Sequence, residues 1–280
     1  MNFILELKKL MNGIETMLSF NNLGRIGRLG NQMFQYSALK GIAEKNGFEY
    51  CIPESNFSNP WSDHQLFDTF KMSTLKNKGV QKSNKIIQET KFNFDNSFFN
   101  LSESNLDVVG YFQTEKYFSH IRENLLIDFE FVDEIFEPCI EMINTIEKPI
   151  SLHVRRTDYL TKSNEHPPQT IEYYESALSN FDSDRNVIIF TDDISWCKSQ
   201  ELFSSDRFLI SESKDNRIDL CLMSLCSDYI IANSSFSWWG AWLSKNENPT
   251  VIAPKKWFGD GGYTKHHNTE DIIPTRWRKI

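Results

Sequence analysis

Ile150-Ser151-Leu152-His153-Val154-Arg155-Arg156-Thr157-Asp158 reads as a short apolar strand that stops at two adjacent arginines. A strand of this composition suits the buried interior of a parallel sheet. Paired guanidinium groups where it ends offer a fixed set of donors to a diphosphate in a sheet-end crevice. An ion pair with Asp158 or another carboxylate explains an isolated Arg-Arg equally well, so the neighbouring motifs decide.

Downstream of this strand the pattern repeats. Helices are expected over 171–181, 194–203, 217–226 and 236–244, and strands over 187–190, 207–210, 229–232 and 250–253. Such alternation predicts a parallel sheet with helices on both faces. Upstream, a strand over 18–23, a helix over 31–45 with Met33, Phe34, Ala38, Leu39 and Ile42 inward, and a strand over 50–52 open a first α/β lobe. A strand over 108–112 and a helix over 115–125 follow, and a further helix lies between Pro138 and Pro149. The stretch 55–105 is rich in Asn, Ser, Lys and Phe with weak periodicity. The interdomain linker is expected near 147–149, giving lobes over 17–147 and 148–280, with the C-terminal tail packing back on the first lobe. Residues 1–16 place Phe3, Leu7, Leu10 and Ile14 on one helical face with Met17 and Leu18, and read as an extension ahead of an internal start at Met17, a surface that docks on a partner, or one that touches a membrane. Glu6, Lys8 and Lys9 interrupt any signal-peptide core.

A chain of 280 residues, 40% hydrophobic and 14% aromatic, can fill two cores. A net charge of −8 argues against coating nucleic acid. The five cysteines are scattered without CxxC or Cys/His ligand spacing, which predicts a reducing compartment and no zinc site. Cys221 and Cys226 fall in an apolar stretch and are expected in the core. No apolar run reaches the roughly 18 residues needed to cross a bilayer.

The strand over 229–232 runs into Asn233-Ser234-Ser235-Phe236-Ser237 and a helix carrying Trp238, Trp239 and Trp242. Small hydroxyl residues at a helix start either cap it or, with the free N–H groups, hold an anion. Asp219, on the preceding helix, is either a solvated charge or an acceptor for the adjacent N1–H and N2 donors of guanine. Asp192 and Asp193 can meet a ribose hydroxyl or cap the next helix, and their spacing is not the Asp-x-Asp of metal-dependent sugar transferases. With Arg155 and Arg156 present to neutralise a leaving phosphate, chemistry without a metal or cofactor is expected. In the first half, Gly24-Arg25-Ile26-Gly27-Arg28-Leu29-Gly30-Asn31-Gln32 is neither GxGxxG nor a Walker A loop. It forms a tight turn capped by Asn31, or lets Gly30, Asn31 and Gln32 approach a ligand in a cleft.

Three stretches resemble glycosyltransferase family 11, the GDP-fucose-dependent α-1,2-fucosyltransferases. They are Gly30-Asn31-Gln32-Met33-Phe34-Gln35-Tyr36, the His153 to Tyr159 run, and Ile231-Ala232-Asn233-Ser234-Ser235-Phe236-Ser237-Trp238-Trp239-Gly240-Ala241-Trp242-Leu243. Lesser matches are Glu172-Tyr173-Tyr174, Thr191-Asp192-Asp193, Leu222-Met223-Ser224 and the 253–258 segment, all in family order from about Leu23 onward. The resemblance implies a GT-B fold, two Rossmann-like lobes facing across a cleft, with the donor nucleotide held by the C-terminal lobe. It implies inverting transfer of L-fucose from GDP-β-L-fucose to the 2-hydroxyl of a terminal galactose on an oligosaccharide. Arg156 matches the arginine that contacts the diphosphate, with Arg155 alongside; Asp219 and Ser235 match residues that touch guanine and phosphate. The donor set expected is His153, Arg155, Arg156, Asp192, Asp219, Asn233, Ser234 and Ser235. The family base does not transfer cleanly; this chain offers Asp158, Glu165 and His166 after the arginines. A bacterial cytoplasmic enzyme building surface polysaccharide, peripheral to a membrane bearing a lipid-linked glycan, is the expected setting. The alternatives are GDP-fucose-dependent transfer with another linkage and a glycan-binding protein using its tryptophans as sugar platforms.

Overall fold

The structure is a computed structural model that describes residues 16–55, 64–103 and 105–280. The apolar face expected across Phe3, Leu7, Leu10 and Ile14 lies outside the described residues, whereas Met17 and Leu18, assigned to the same helical face, belong to a strand. The chain divides into two compact units, residues 1–130 and 131–280.

In the first unit, strands β1 (Met17–Ser19), β2 (Glu49–Ile52), β3 (Asn77–Lys78), β4 (Lys85–Gln88) and β5 (Leu106–Val109) form a parallel sheet of order β3-β2-β1-β5-β4. Helix α1 (Leu29–Asn46) ends at Gly47, whose left-handed φ of 67° lets its N–H turn back to the Ala43 and Glu44 carbonyls. Met33, Phe34, Ala38, Leu39 and Ile42 are all fully buried, as the periodicity predicts. The short helix α2 (Leu66–Thr69) follows β2. Two 3₁₀ turns, Glu115–Tyr117 and Ser119–Ile121, replace most of the helix expected over 115–125, leaving α3 (Arg122–Asp128). Asp128 at its end is fully buried because Lys40 pairs with it at 2.5 Å while Tyr36 Oη and the Thr74 N–H donate to it at 2.6 and 2.7 Å.

The second unit begins earlier than the expected 147–149 boundary. Helix α4 (Asp133–Ile143), with Pro138 inside it, packs on α8 (Asn216–Leu225), and Cys139 Sγ approaches the Ile218 carbonyl. The strands here are β6 (Ile150–Val154), β7 (Val187–Thr191), β8 (Phe208–Ile210), β9 (Asp228–Ile230), β10 (Val251–Ala253) and β11 (Arg278–Lys279), in parallel order β11-β10-β9-β6-β7-β8. The C-terminal tail supplies β11 beside β10. Between the strands run α5 (Thr157–Thr161), α6 (Ile171–Leu178), α7 (Ile194–Ser199), α8 and α9 (Ser235–Trp242).

All five β6 residues are buried, so the strand needs no polar alternation. Ile150, Leu152, Val154, Val187, Ile189, Ile230 and Ile252 make the core with Tyr174 and Leu178. Each such aliphatic side chain contributes about 1.5–3 kcal/mol on burial. Trp238, Trp239 and Trp242 are also buried, and Trp238 Nε1 donates to the Ile272 carbonyl at 2.7 Å. That burial removes the exposed sugar platform on which the glycan-binding alternative depends. All five cysteines are buried and unpaired by disulfides. No described helix is long and apolar enough to cross a membrane.

Candidate active site

The chain enters the second sheet at β6, builds outward to β7 and β8, then reverses to place β9 on the other side of β6. Loops after β6 and β9 diverge at this switch point, the place at the carboxyl ends of the strands where open α/β sheets bind ligands in a crevice. Arg155 and Arg156 leave β6 there, and Asn233, Ser234 and Ser235 leave β9 there.

The arginines are fixed by the carboxylates that follow β7. Asp192 accepts the Arg156 backbone N–H at 2.9 Å, the Thr157 hydroxyl at 2.6 Å and Arg155 Nη1 at 3.0 Å. Asp158 holds the other end of the Arg155 guanidinium at 2.6 Å. Burial pushes the Asp192 carboxyl up, but the Thr157 hydrogen bond, the Arg155 charge and the Arg156 amide together hold it below its ordinary value. Asp193 takes Arg156 Nε at 3.1 Å, and Trp196 lies under that guanidinium, 4.1 Å from ring centroid to Cζ. Asp192 and Asp193 are thus committed to the arginines, and Asp193 also caps α7 as expected. His153 is 5% exposed, its Nδ1 has no partner, and burial with the Arg155 charge lowers its pKa to about 3. It stands neutral beside Phe236 at the start of α9.

On the β9 side the expected residues separate. Asn233 is 1% exposed: its Nδ2 donates to the Pro167 and Trp257 carbonyls at 3.0 and 2.9 Å, and its Oδ1 accepts from Gln169 at 2.9 Å. Its side chain, expected on the donor, is spent pinning loops. Ser234 caps α9 by accepting the Phe236 N–H at 3.4 Å, and Ser235 at the first helical position is only partly buried. Asp219 sits beyond β8, where Ser211 donates to it at 2.6 Å; burial pushes its carboxyl up to about 6. Glu165 lies against Gly262, whose φ of 58° and lack of Cβ admit its carboxylate, and its backbone carbonyl accepts the Gly259 N–H. Its neighbour His166 stacks on Tyr159, and burial lowers its pKa. Of the candidate bases Asp158, Glu165 and His166, Asp158, 42% exposed, is the one that pairs with an arginine of the pair.

Tyr159, Thr157, Trp196 and Ser211 escaped the sequence reading as site residues. Tyr159 donates to the Asn233 carbonyl at 3.0 Å and faces Arg155, so it ties the β6 and β9 loops together. Its place in the His153 to Tyr159 run was the available signal.

In the first unit, β1 and β5 form the corresponding switch point. The turn after β1 contains Gly24 and Gly27 with φ of 91° and 82°. Helix α1 starts at Leu29 with Arg28 as its cap residue and no side-chain cap, so Asn31 is inside the first turn and does not cap it. Asn31 Oδ1 accepts from Gln113 Nε2 at 2.6 Å. Gln32, expected at the ligand, is 4% exposed and accepts the Gln65 N–H at 3.0 Å, and Gly30 is buried in the helix start. Among the described residues no cluster of three His, Cys, Asp or Glu can hold a metal ion.

The model of glycosyl transferase family 11 matches residues 3–280. The chain belongs to that family. The match takes in most of the 1–16 segment whose pattern suggested an extension. This family 11 chain is 27% identical to the Escherichia coli O-antigen biosynthesis glycosyltransferase WbnK, across 85% of this chain and 95% of that one. It is 30% identical to an Escherichia coli alpha-1,2-colitosyltransferase, across 91% of this chain and 96% of the relative. A solved structure of NodZ alpha-1,6-fucosyltransferase soaked with GDP-fucose superposes with a TM-score of 0.57 at 12% identity, covering 86% of this chain and 96% of that one. The fold is therefore that of the GT-B fucosyltransferases, with a parallel sheet in each lobe.

Proposed function

We propose that this family 11 glycosyltransferase is an inverting, metal-independent enzyme that moves L-fucose from GDP-β-L-fucose to the 2-hydroxyl of a terminal galactose, in the assembly of bacterial O-antigen. The observation that carries the reading is the arginine pair at the β6/β9 switch point, held by Asp158, Asp192 and Asp193 with both arginine side chains less than 20% exposed. Such preorganised donors stabilise charge that gathers on a departing diphosphate. The acceptor oxygen attacks the anomeric carbon as the bond to the β-phosphate oxygen breaks on the opposite face. The hydroxyl proton passes to a carboxylate, for which Asp158 stands nearest the arginines. Asp219, placed beyond β8 and pushed to about 6, is ionised at neutral pH and supplies the acceptor for guanine N1–H and N2. Likeness to the O-antigen enzyme and the α-1,2 linkage in the second relative's name support the setting and the linkage.

A second donor has a specific observation behind it, the 30% identity to a colitosyltransferase. Colitose is fucose without its 3-hydroxyl, and the same diphosphate and guanine contacts serve both. The test is transfer from GDP-fucose and GDP-colitose to β-galactosides in excess chelator, with the product linkage read by NMR. An α-1,2-fucosyl product supports the proposal. Turnover with GDP-colitose alone replaces the donor, another linkage replaces the acceptor hydroxyl, and failure of every GDP-sugar while metal restores activity defeats the mechanism.

A further inference from the structure

The switch point of the first unit holds a group that the fold leaves unsatisfied. After β5 the chain passes through Gly110, Tyr111 and Phe112 to Gln113, and Phe112 adopts φ of 52°, a left-handed conformation costly for a bulky residue. The segment is held from two sides. Glu89, just beyond β4, accepts the Tyr111 N–H at 2.8 Å and the Phe112 N–H at 3.1 Å. Gln35 of α1 donates to the Gly110 carbonyl at 3.3 Å and to the Ile26 carbonyl at 3.1 Å, which joins the segment to the glycine turn. Strain maintained by this many constraints fixes the residue that follows. That residue, Gln113, is 7% exposed, commits its Nε2 to Asn31, and leaves its Oε1 buried without a hydrogen-bond partner. A buried carboxamide oxygen without a donor costs roughly 1–3 kcal/mol, and most such groups in folded proteins are satisfied. It lies after β5, at the carboxyl ends of β1 and β5 where open α/β sheets take ligands, so a ligand hydroxyl is the donor that this place in the fold can supply.

Resting on the transferase reading, we infer that Gln113 is a specificity residue whose Oε1 accepts a hydrogen bond from one hydroxyl of a pyranose substrate, with Asn31 holding the amide in place. The chemistry is common to both sugars in the reaction. A site built to accept a particular hydroxyl discriminates against the analogue that lacks it, because the acceptor is then left unpaired.

The experiment measures kcat/KM of wild type and Gln113→Met with two substrate series. One is GDP-fucose with GDP-colitose, its 3-deoxy analogue, and the 2- and 4-deoxy analogues; the other is methyl β-galactoside and its 3-, 4- and 6-deoxy analogues. Gln113→Met, folded by circular dichroism and thermal unfolding, is expected to lose roughly 10-fold to 100-fold on the full substrates. For the one analogue missing the contacted hydroxyl, wild type and variant should agree within about 2-fold. The series in which that convergence occurs identifies the sugar. An equal loss on every analogue, or no loss, overturns the inference and leaves Gln113 as a pin for Asn31. If Gln113→Met does not fold, Gln113→Glu, which keeps an acceptor oxygen, must retain the wild-type discrimination between full and deoxy substrates; its disappearance overturns the inference. A wild-type chain that transfers no GDP-sugar defeats the functional reading itself and this inference with it, an outcome distinct from both.

Discussion

Arg156 donates Nε to Asp193 Oδ2 at 3.1 Å, and the other oxygen of that carboxylate caps α7 by accepting the Trp196 N–H at 3.0 Å. One aspartate therefore ties the direction of a guanidinium to the start of a helix. Arg156→Ala should lower kcat about 100-fold to 1000-fold in a folded protein. Asp193→Asn keeps a capping oxygen but neutralises the partner, so a smaller loss, about 10-fold, is expected with little change in unfolding midpoint. Steady-state kinetics with thermal unfolding on the same samples separates the two; an active Arg156→Ala enzyme would remove the arginine from the mechanism.

If Asp219 receives guanine as proposed, GDP binding should depend on pH. Its carboxyl titrates near 6, and only the ionised form accepts both guanine donors. Affinity for GDP should therefore rise about 10-fold per pH unit below 6 and level off above 7. Because the folded value is raised, the same group favours the folded state at pH below the ordinary Asp range, and that contribution is lost as pH climbs through 6. Asp219→Asn should flatten the binding profile, measured by calorimetry between pH 5 and 8. A wild-type profile already flat across that range would place the guanine elsewhere.

Asn233 is expected to behave as a structural residue despite lying in the family motif. Asn233→Ala removes three hydrogen bonds, one buried and two partly buried, and strands the Pro167 and Trp257 carbonyls. A stability loss of about 2–4 kcal/mol should follow in urea unfolding. A variant as stable as wild type that fails only in GDP binding would return Asn233 to the donor site.

Gly27→Ala tests the turn that leads into α1. Its φ of 82° disfavours any side chain, and a Cβ there would fall on the Asn31 side-chain amide. The substitution should cost about 1–3 kcal/mol and displace Asn31 from Gln113, so activity falls while GDP stabilisation of the second unit persists. Loss of both together would mean that the turn acts through global unfolding.

Glu89 should give the first unit a pH-dependent stability. Burial pushes its carboxyl up to about 7, against the lowering effect of the Phe112 and Tyr111 N–H groups. A raised folded value contributes stability below the ordinary Glu range, and that stability disappears as pH rises through 7. Glu89→Gln stays neutral and keeps one acceptor oxygen, so its unfolding midpoint should vary less than that of wild type between pH 5 and 8. Parallel profiles for the two proteins would count against this role.

The apolar runs and helical periods of the second half located five of its six strands to within a residue or two, and β6 in full, because Ile150–Val154 is an apolar run buried along its whole length. The arginines, the aspartates after β7 and the Ser234 cap were equally legible, since each follows directly from a strand or helix end. Only the tertiary structure decided what those ends face. Parallel neighbours meet across helical crossovers, so strand order, and with it the switch point between β6 and β9, depends on long-range pairing that no local pattern encodes. For the same reason Asn233 turned inward, β11 closed the second sheet, and short strands such as Asn77–Lys78 formed from a segment without periodicity. The pairing of Asn31 with Gln113, 82 residues apart, arises from the adjacency of β1 and β5.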